Sequence, residues 1–172
     1  MPKNIVLVGL MGAGKTSVGL CLEKETGLKF LDSDKIIEEE QKCSISEIFE
    51  KYGEEYFRKV ESEIILRISK SDAKIISTGG GCLQNLQNLE NLKKNGKIFY
   101  LKASPEELYV RIKSQNHRPL LQNDNPLETL EKLLNLREKN YMKADVVIDT
   151  NGKTIEQVTE KIIKAYYDNT ES

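Results

Sequence analysis

Residues 9–16, Gly-Leu-Met-Gly-Ala-Gly-Lys-Thr, constrain this chain more than any other stretch, because they match G-x-x-x-x-G-K-[ST]. The motif has meaning only between a strand and a helix, and both neighbours are legible. Lys-Asn-Ile-Val-Leu-Val-Gly at 3–9 is an apolar, β-branched run of the kind a strand buried on both faces requires. From Lys15 the pattern turns helical and continues to Thr26, with Gly27 placed to end it. In that setting Gly9, Gly12 and Gly14 let backbone N–H groups wrap a phosphate chain at a helix N-terminus, where the helix dipole also favours anions. Lys15 is placed to reach the β- and γ-phosphates, and the Thr16 hydroxyl to serve Mg²⁺. The stretch points to nucleotide binding.

The rest of the chain alternates strand and helix. Strands are expected at Lys29–Asp32, Lys74–Thr78, 97–101 and Asp145–Asp149. Between them lie helices at 34–42, 46–52 and Glu54–Ser69, and a leucine-lined one from Leu83 to Leu92 stopped by Gly96. Ser104-Pro105-Glu106-Glu107 opens another with cap, Pro at N1 and capping box; Asn125-Pro126 opens the next, running to about Met142, and Thr154 caps the last. Ser44 with Glu47, and Thr154 with Gln157, have capping-box spacing. Such alternation predicts a three-layer α/β/α domain around a five-stranded parallel sheet, with 1–172 as one domain. The polar connection 116–125, carrying His117 and Arg118, is a candidate lid over a phosphoryl-transfer site, with His117 read as a solvated loop residue.

Three further stretches carry chemistry. Leu-Asp-Ser-Asp at 31–34 brings two carboxylates to the carboxyl end of a strand, where open α/β sheets bind ligands. Either Asp34 caps the following helix, or Asp32 serves Mg²⁺ or its waters while Asp34 accepts from a substrate hydroxyl. Arg58 and Glu61, at i, i+3, are either a surface ion pair or a carboxylate-gripping guanidinium held by its neighbour. Gly79-Gly80-Gly81 follows an apolar strand, and three glycines cost too much chain entropy for an ordinary turn. They imply that something approaches the backbone closely.

Composition narrows the classes. A net charge of −1 gives no electrostatic reason for a nucleic-acid or membrane-surface partner. Cys21, Cys43 and Cys82 lack metal-ligand spacing and read as reduced thiols, and no leader or membrane span is legible at the N-terminus, which points to the cytoplasm. With no exposed apolar seam to read, a monomer is expected. The 26 basic residues include only five arginines: Arg58, Arg67, Arg111, Arg118 and Arg137. A chain this rich in Lys is expected to reserve Arg for planar, bidentate work.

Taken in order, "GLMGAGKTSVG", "DSD", "FRKVE", "STGGG", "RPLL" and "REKNY" resemble the shikimate kinases, P-loop small-molecule kinases built like nucleoside monophosphate kinases. The resemblance covers most of the chain. It implies ATP-dependent phosphorylation of the shikimate 3-hydroxyl, a step of aromatic amino acid (chorismate) biosynthesis, with ATP and Mg²⁺ as cofactors. Also implied are a helical substrate-binding region at about 33–61 and a lid at about 112–125. Carried over, Asp34, Arg58 and Arg137 hold shikimate, and the backbone of Gly79, Gly80 and Gly81 lines its pocket. Gly12, Ala13, Gly14, Lys15, Thr16 and Ser17 contact the nucleotide, Arg111 stacks on adenine, and Arg118 swings in with the lid. Lys15, Asp34 and Arg118 take the catalytic roles, with Thr16 and, through water, Asp32 at the metal. Four of the five arginines thus fall on family ligand positions. The proline with which the family often packs the other adenine face is absent from Asn151-Gly152-Lys153-Thr154-Ile155.

The nearest alternative is another metabolite kinase such as a gluconate kinase, which explains the P-loop but not Arg58, Arg137 and the triple glycine together. A GTP switch lacks its Asn-Lys-x-Asp stretch here, and strand three ends in Thr-Gly-Gly-Gly rather than a metal-binding Asp.

Overall fold

The computed structural model describes residues 3–115 and 124–168. Five strands form one sheet: β1 (Asn4–Val8), β2 (Lys29–Asp32), β3 (Lys74–Ser77), β4 (Gly96–Lys102) and β5 (Val146–Asp149). Their order across the sheet is β2-β3-β1-β4-β5, and every pairing is parallel. Central β1 is wholly buried, which is why its sequence is apolar without alternation.

Among the described residues six α-helices lie between the strands, α1 (Lys15–Thr26), α2 (Ser33–Gln41), α3 (Ile45–Ser69), α4 (Leu86–Asn95), α5 (Pro105–Lys113) and α6 (Pro126–Tyr141), and α7 (Ile155–Tyr167) follows the last strand. The chain moves outward from β1 to β2 and then back across the sheet. Because parallel crossovers are right-handed, this reversal sends α1 to one face and α3 and α4 to the other. α7 packs against α1, and α3 against α4. The expected α/β/α fold is what forms.

Register matters most for the site. β1 pairs with β3 through Ile5–Ile75, Val6–Ile76 and Leu7–Ser77. Two glycine-rich segments, the turn after β1 and Gly79–Gly81 after β3, therefore leave the sheet side by side. This is the switch point of an open α/β sheet, where a ligand crevice forms.

Several boundaries differ from the sequence reading. The helices expected at 46–52 and 54–69 are two pieces of α3, broken at Gly53, whose φ of 82° and ψ of 172° only glycine adopts readily. The leucine-lined helix begins later than Leu83: Cys82–Gln84 is a 3₁₀ turn, and Asn85 caps α4 by accepting from the Gln87 N–H. Gly96 does more than stop that helix, since it opens β4 opposite Asn4, where a Cβ would sit 2.8 Å from the Leu92 carbonyl. The boxes at Ser44–Glu47 and Thr154–Gln157 close in both directions. At Ser104 only half the box forms. Its hydroxyl accepts from the Glu107 N–H at 3.2 Å, but the Glu107 carboxylate turns to Arg111, and the Ser104 N–H donates to Asn151 Oδ1 at 3.0 Å instead. Among the described residues no helix is long and apolar enough to cross a membrane.

Candidate active site

A cleft of about 740 Å³ opens over the carboxyl ends of β1, β2 and β3. One end is made of backbone. The turn after β1 wraps into α1 with Gly12 at φ 83° and Gly14 at φ 93°; Gly14 is the helix N-cap and makes no side-chain cap bond. The first turn of α1 contains no acidic residue, so no side chain of that turn offsets the dipole at the cleft. Lys15 lies across this turn, its Nζ donating to the carbonyls of Gly9 at 2.6 Å and Leu10 at 3.1 Å. Ala13 is buried beneath the turn, whereas Thr16 and Ser17 are exposed, and all three line the cleft.

Arg111 serves this end in a way its sequence position does not reveal. Its Nη1 donates to Thr150 Oγ1 at 3.1 Å and its Nη2 to the Thr150 carbonyl at 2.9 Å. Nη2 also pairs with Glu107 at 3.1 Å, and Nη1 lies 3.4 Å from the carbonyls of Gly12 and Ala13. One guanidinium thus ties α5, the turn after β1 and the β5–α7 loop together. These bonds use its edge, while stacking on a base uses its face. Where the family proline is absent, Lys153, Thr154 and Ile155 line the cleft.

The other end is made of side chains. Asp32 caps α2, its Oδ1 accepting from the N–H groups of Asp34 at 2.9 Å and Lys35 at 3.3 Å. Capping therefore falls to Asp32 rather than Asp34. The strand ends at Asp32, and the first turn of α2 turns Asp34 to face the cleft. Burial, then the charges of Asp32 and Glu61, push the Asp34 carboxyl up to about 6, against an opposing pull from Lys15. Its Oδ1 is out of reach of solvent and has no hydrogen-bond partner among the described residues.

Arg58 and Glu61 are no surface pair. Glu61 is 1 % exposed, and its Oε1 accepts from Arg58 Nη1 at 2.8 Å. Burial raises the Glu61 carboxyl, while Arg58 and Arg137 pull it down. Glu61 Oε2 and Arg137 Nε are buried without a partner among the described residues. Phe57 lies 5.1 Å from the Arg58 guanidinium and, with Ile45 and Phe49, makes an apolar wall that motif reading did not find.

Gly79, Gly80 and Gly81 complete this end, and none has a positive φ. Space explains them. A Cβ on Gly79 would lie 2.7 Å from Asp34 Oδ1, and one on Gly80 would lie 3.1 Å from Arg137 Nη1. On Gly81 it would collide with the Arg58 guanidinium. Each glycine makes room for a different charged group, so close approach is the reason for all three, and the approaching atoms belong to the protein itself.

The structure thus brings together Gly12, Ala13, Gly14, Lys15, Thr16, Ser17, Asp32, Asp34, Arg58, Gly79, Gly80, Gly81, Arg111 and Arg137 around one cleft. Arg118 and His117, and most of the expected lid at 112–125, lie outside the described residues. Arg67 is remote, pairing with Glu40 on the surface.

The profile of the shikimate kinase family matches residues 11–167. The chain belongs to the shikimate kinase family. A shikimate kinase of Thermodesulfovibrio yellowstonii is 49 % identical over 164 residues, covering 95 % of each chain. The structure of an Acinetobacter baumannii shikimate kinase in complex with shikimate is similar at a TM-score of 0.92 and 38 % identity, covering 99 % of this chain and 96 % of that one. A gluconokinase from Sinorhizobium meliloti is similar at a TM-score of 0.64 and 15 % identity, covering 99 % and 94 %, which is a likeness of fold alone. Shikimate kinases are ATP-dependent enzymes, and this one carries their P-loop and their α/β sheet.

Proposed function

We propose that this chain transfers the γ-phosphoryl group of ATP to the 3-hydroxyl of shikimate, giving shikimate 3-phosphate and ADP. One observation carries the reading: a backbone anion cradle and a pocket of buried, incompletely partnered charges share one cleft, at the switch point of the sheet. The first suits a nucleotide. The second suits a small acid with hydroxyl groups.

In this reading the N–H groups from Gly12 to Ser17 hold the ATP phosphates, and Lys15 leaves the carbonyls of Gly9 and Leu10 to meet the transferring group. Arg58 and Arg137 grip the shikimate carboxylate, and Glu61 fixes Arg58 in the orientation that a bidentate contact needs. Asp34 accepts from the hydroxyl that is phosphorylated. With its carboxyl near 6, it is mostly ionised at neutral pH yet more basic than an ordinary aspartate, which suits a group that orients the hydroxyl and takes its proton. Positioning and electrostatics then carry the transfer.

The donor set fits Mg²⁺. Thr16 and Asp32 offer hard oxygens along the same cleft, and no cluster of three metal-binding side chains exists among the described residues. Mg²⁺ suits such a sparse set, since it keeps several waters and leans on substrate phosphates. When bound, it supplies charge neutralisation on the phosphates, held by Thr16 and, through water, by Asp32.

We further take 1–172 as one domain, acting as a monomer in the cytoplasm, with 33–61 as the substrate-binding region. Residues 112–125 are its lid, and Arg118 brings positive charge to the transferring group.

ADP release with Mg-ATP tests the reading, comparing shikimate, gluconate and no acceptor. Release that depends on shikimate alone supports it. Release without an acceptor, or with gluconate only, keeps the P-loop and rejects the acceptor pocket.

A further inference from the structure

We infer that Tyr141 is a positioning residue for the acceptor half of the cleft: its hydroxyl fixes the Gly80 carbonyl, and with it the seat of the Arg137 guanidinium. The inference rests on the reading of the cleft given above. Tyr141 ends α6, one helical turn after Arg137, and is 1 % exposed. Its hydroxyl donates to the Gly80 carbonyl, across 61 residues of chain. Behind it, the ring packs on Tyr100 of β4 with centroids 5.0 Å apart, so the phenol has little freedom to turn away.

Three parts of the site converge at this point. The position that a Gly80 Cβ would occupy lies 3.1 Å from Arg137 Nη1, 3.7 Å from the Tyr141 hydroxyl and 3.8 Å from the Gly9 carbonyl at the start of the P-loop. Gly80 itself sits between Asp34 and Arg58, which crowd Gly79 and Gly81. A shift of its carbonyl therefore moves the floor beneath all three charged groups. Arg137 depends on this corner more than Arg58 does, because the Tyr141 hydroxyl also hydrogen-bonds the Arg137 side chain, whereas Glu61 orients Arg58. Proton transfer is not the phenol's task. Burial, against the nearby Arg137, pushes it up to about 12, so it stays a donor throughout the working pH range. A second tie, from Asn140 Nδ2 to Gln84 Oε1 at 2.8 Å, also joins the end of α6 to the segment after the glycines, but on the exposed side.

The test uses the full chain, with Tyr141→Phe removing the hydroxyl and keeping the ring. With shikimate-dependent turnover of the wild type first in hand, Tyr141→Phe is expected to raise KM for shikimate about 5- to 30-fold, with kcat within about threefold and KM for ATP unchanged. Asn140→Ala is expected to leave all three constants in place. In an Arg137→Ala background the same hydroxyl deletion is expected to add less than about twofold, because the two residues act on one contact. An unchanged shikimate KM overturns the inference, as does an equal rise in both KM values, or full additivity with Arg137→Ala. Should Tyr141→Phe not fold, the wild-type protein labelled with ¹³Cζ-tyrosine decides: the Tyr141 resonance is expected to shift on adding shikimate and stay on adding ADP, and a resonance indifferent to shikimate overturns the inference. A wild type without shikimate-dependent turnover rejects the reading of the cleft and this inference with it. An active wild type with a normal Tyr141→Phe rejects this inference alone.

Discussion

The two ends of the cleft are built on opposite principles. The P-loop end is nearly all main chain: contiguous residues after one strand, held in shape by left-handed glycines, Lys15 and the Arg111 tie. Its donors are the N–H groups that any helix N-terminus leaves open, so the site costs the fold little. The acceptor end gathers charged side chains from α2, α3 and α6 over three glycines and leaves Asp34 Oδ1, Glu61 Oε2 and Arg137 Nε buried without partners among the described residues. Buried polar atoms without partners are expensive. One half of the site comes almost free with the fold, whereas the other holds polar demand that the described residues leave unmet.

Removing the central charge from each end tests that contrast most severely. Lys15→Ala and Asp34→Asn are both expected to cut kcat by on the order of 10²- to 10³-fold, from the loss of one preorganised electrostatic partner each. Their stabilities should diverge. Lys15→Ala loses the hydrogen bonds to the carbonyls of Gly9 and Leu10 and is expected to lower Tm slightly. Asp34 has a folded-state carboxyl near 6 against an ordinary 3.8, so between those values the native state holds the proton more tightly than the unfolded one. This group's contribution therefore falls as pH rises through 6, and its penalty is fully present above about pH 7. Asp34→Asn should stabilise the protein at pH 7.5 by up to about 3 kcal/mol, a gain that fades towards pH 4. Thermal melts across that range decide, and an Asp34→Asn protein no more stable than wild type at pH 7.5 removes the idea of a destabilising acceptor end.

A smaller perturbation asks whether the glycines serve the side chains around them. Gly81→Ala places a methyl group against the Arg58 guanidinium without demanding an unusual φ. Displacement of Arg58 by about an ångström is expected to raise KM for shikimate on the order of 10- to 100-fold, with KM for ATP unchanged. If both constants rise together, the two ends are not separable. If neither moves, the cleft has room that the close contact denies.

The same division explains what could be read before the fold was known. The P-loop is legible because its chemistry comes from the backbone of adjacent residues, and the apolar run and helix beside it confirm the context. The parallel sheet follows from alternation and from strands such as β1 that are apolar without a break. The acceptor end is assembled across long sequence distances, and only resemblance joined Arg58, Gly79–Gly81 and Arg137 in advance. Local reading left Arg58–Glu61 open as a surface pair, because nothing in i, i+3 spacing says that Glu61 is buried. It divided the roles of Asp32 and Asp34 incompletely, since which one caps α2 depends on where the strand stops. The destination of the Tyr141 hydroxyl and the bonds of Arg111 to Thr150 depend on packing between distant elements, which leaves no local mark.

The mildest test concerns the outer margin of the nucleotide end, where backbone gives way to side chains. Ile155 opens α7 and is 40 % exposed, although it lines the cleft beside Lys153 and Thr154. The loop before it is well held: Asn151 accepts from the Ser104 N–H, Lys153 N–H donates to the Thr150 carbonyl at 3.1 Å, and Thr150 is tied to Arg111. An exposed isoleucine on a fixed loop, facing the same space as Arg111, suits contact with the flat face of a base. Covering about 40 Å² of it is worth roughly 1 kcal/mol. Ile155→Ala should therefore raise KM for ATP about two- to fivefold and leave KM for shikimate unmoved. An unchanged ATP KM means that the base rests elsewhere and that this end is backbone throughout, which sharpens the contrast between the two halves. A rise in shikimate KM breaks the contrast, because α7 would then couple the halves that the sheet sets side by side.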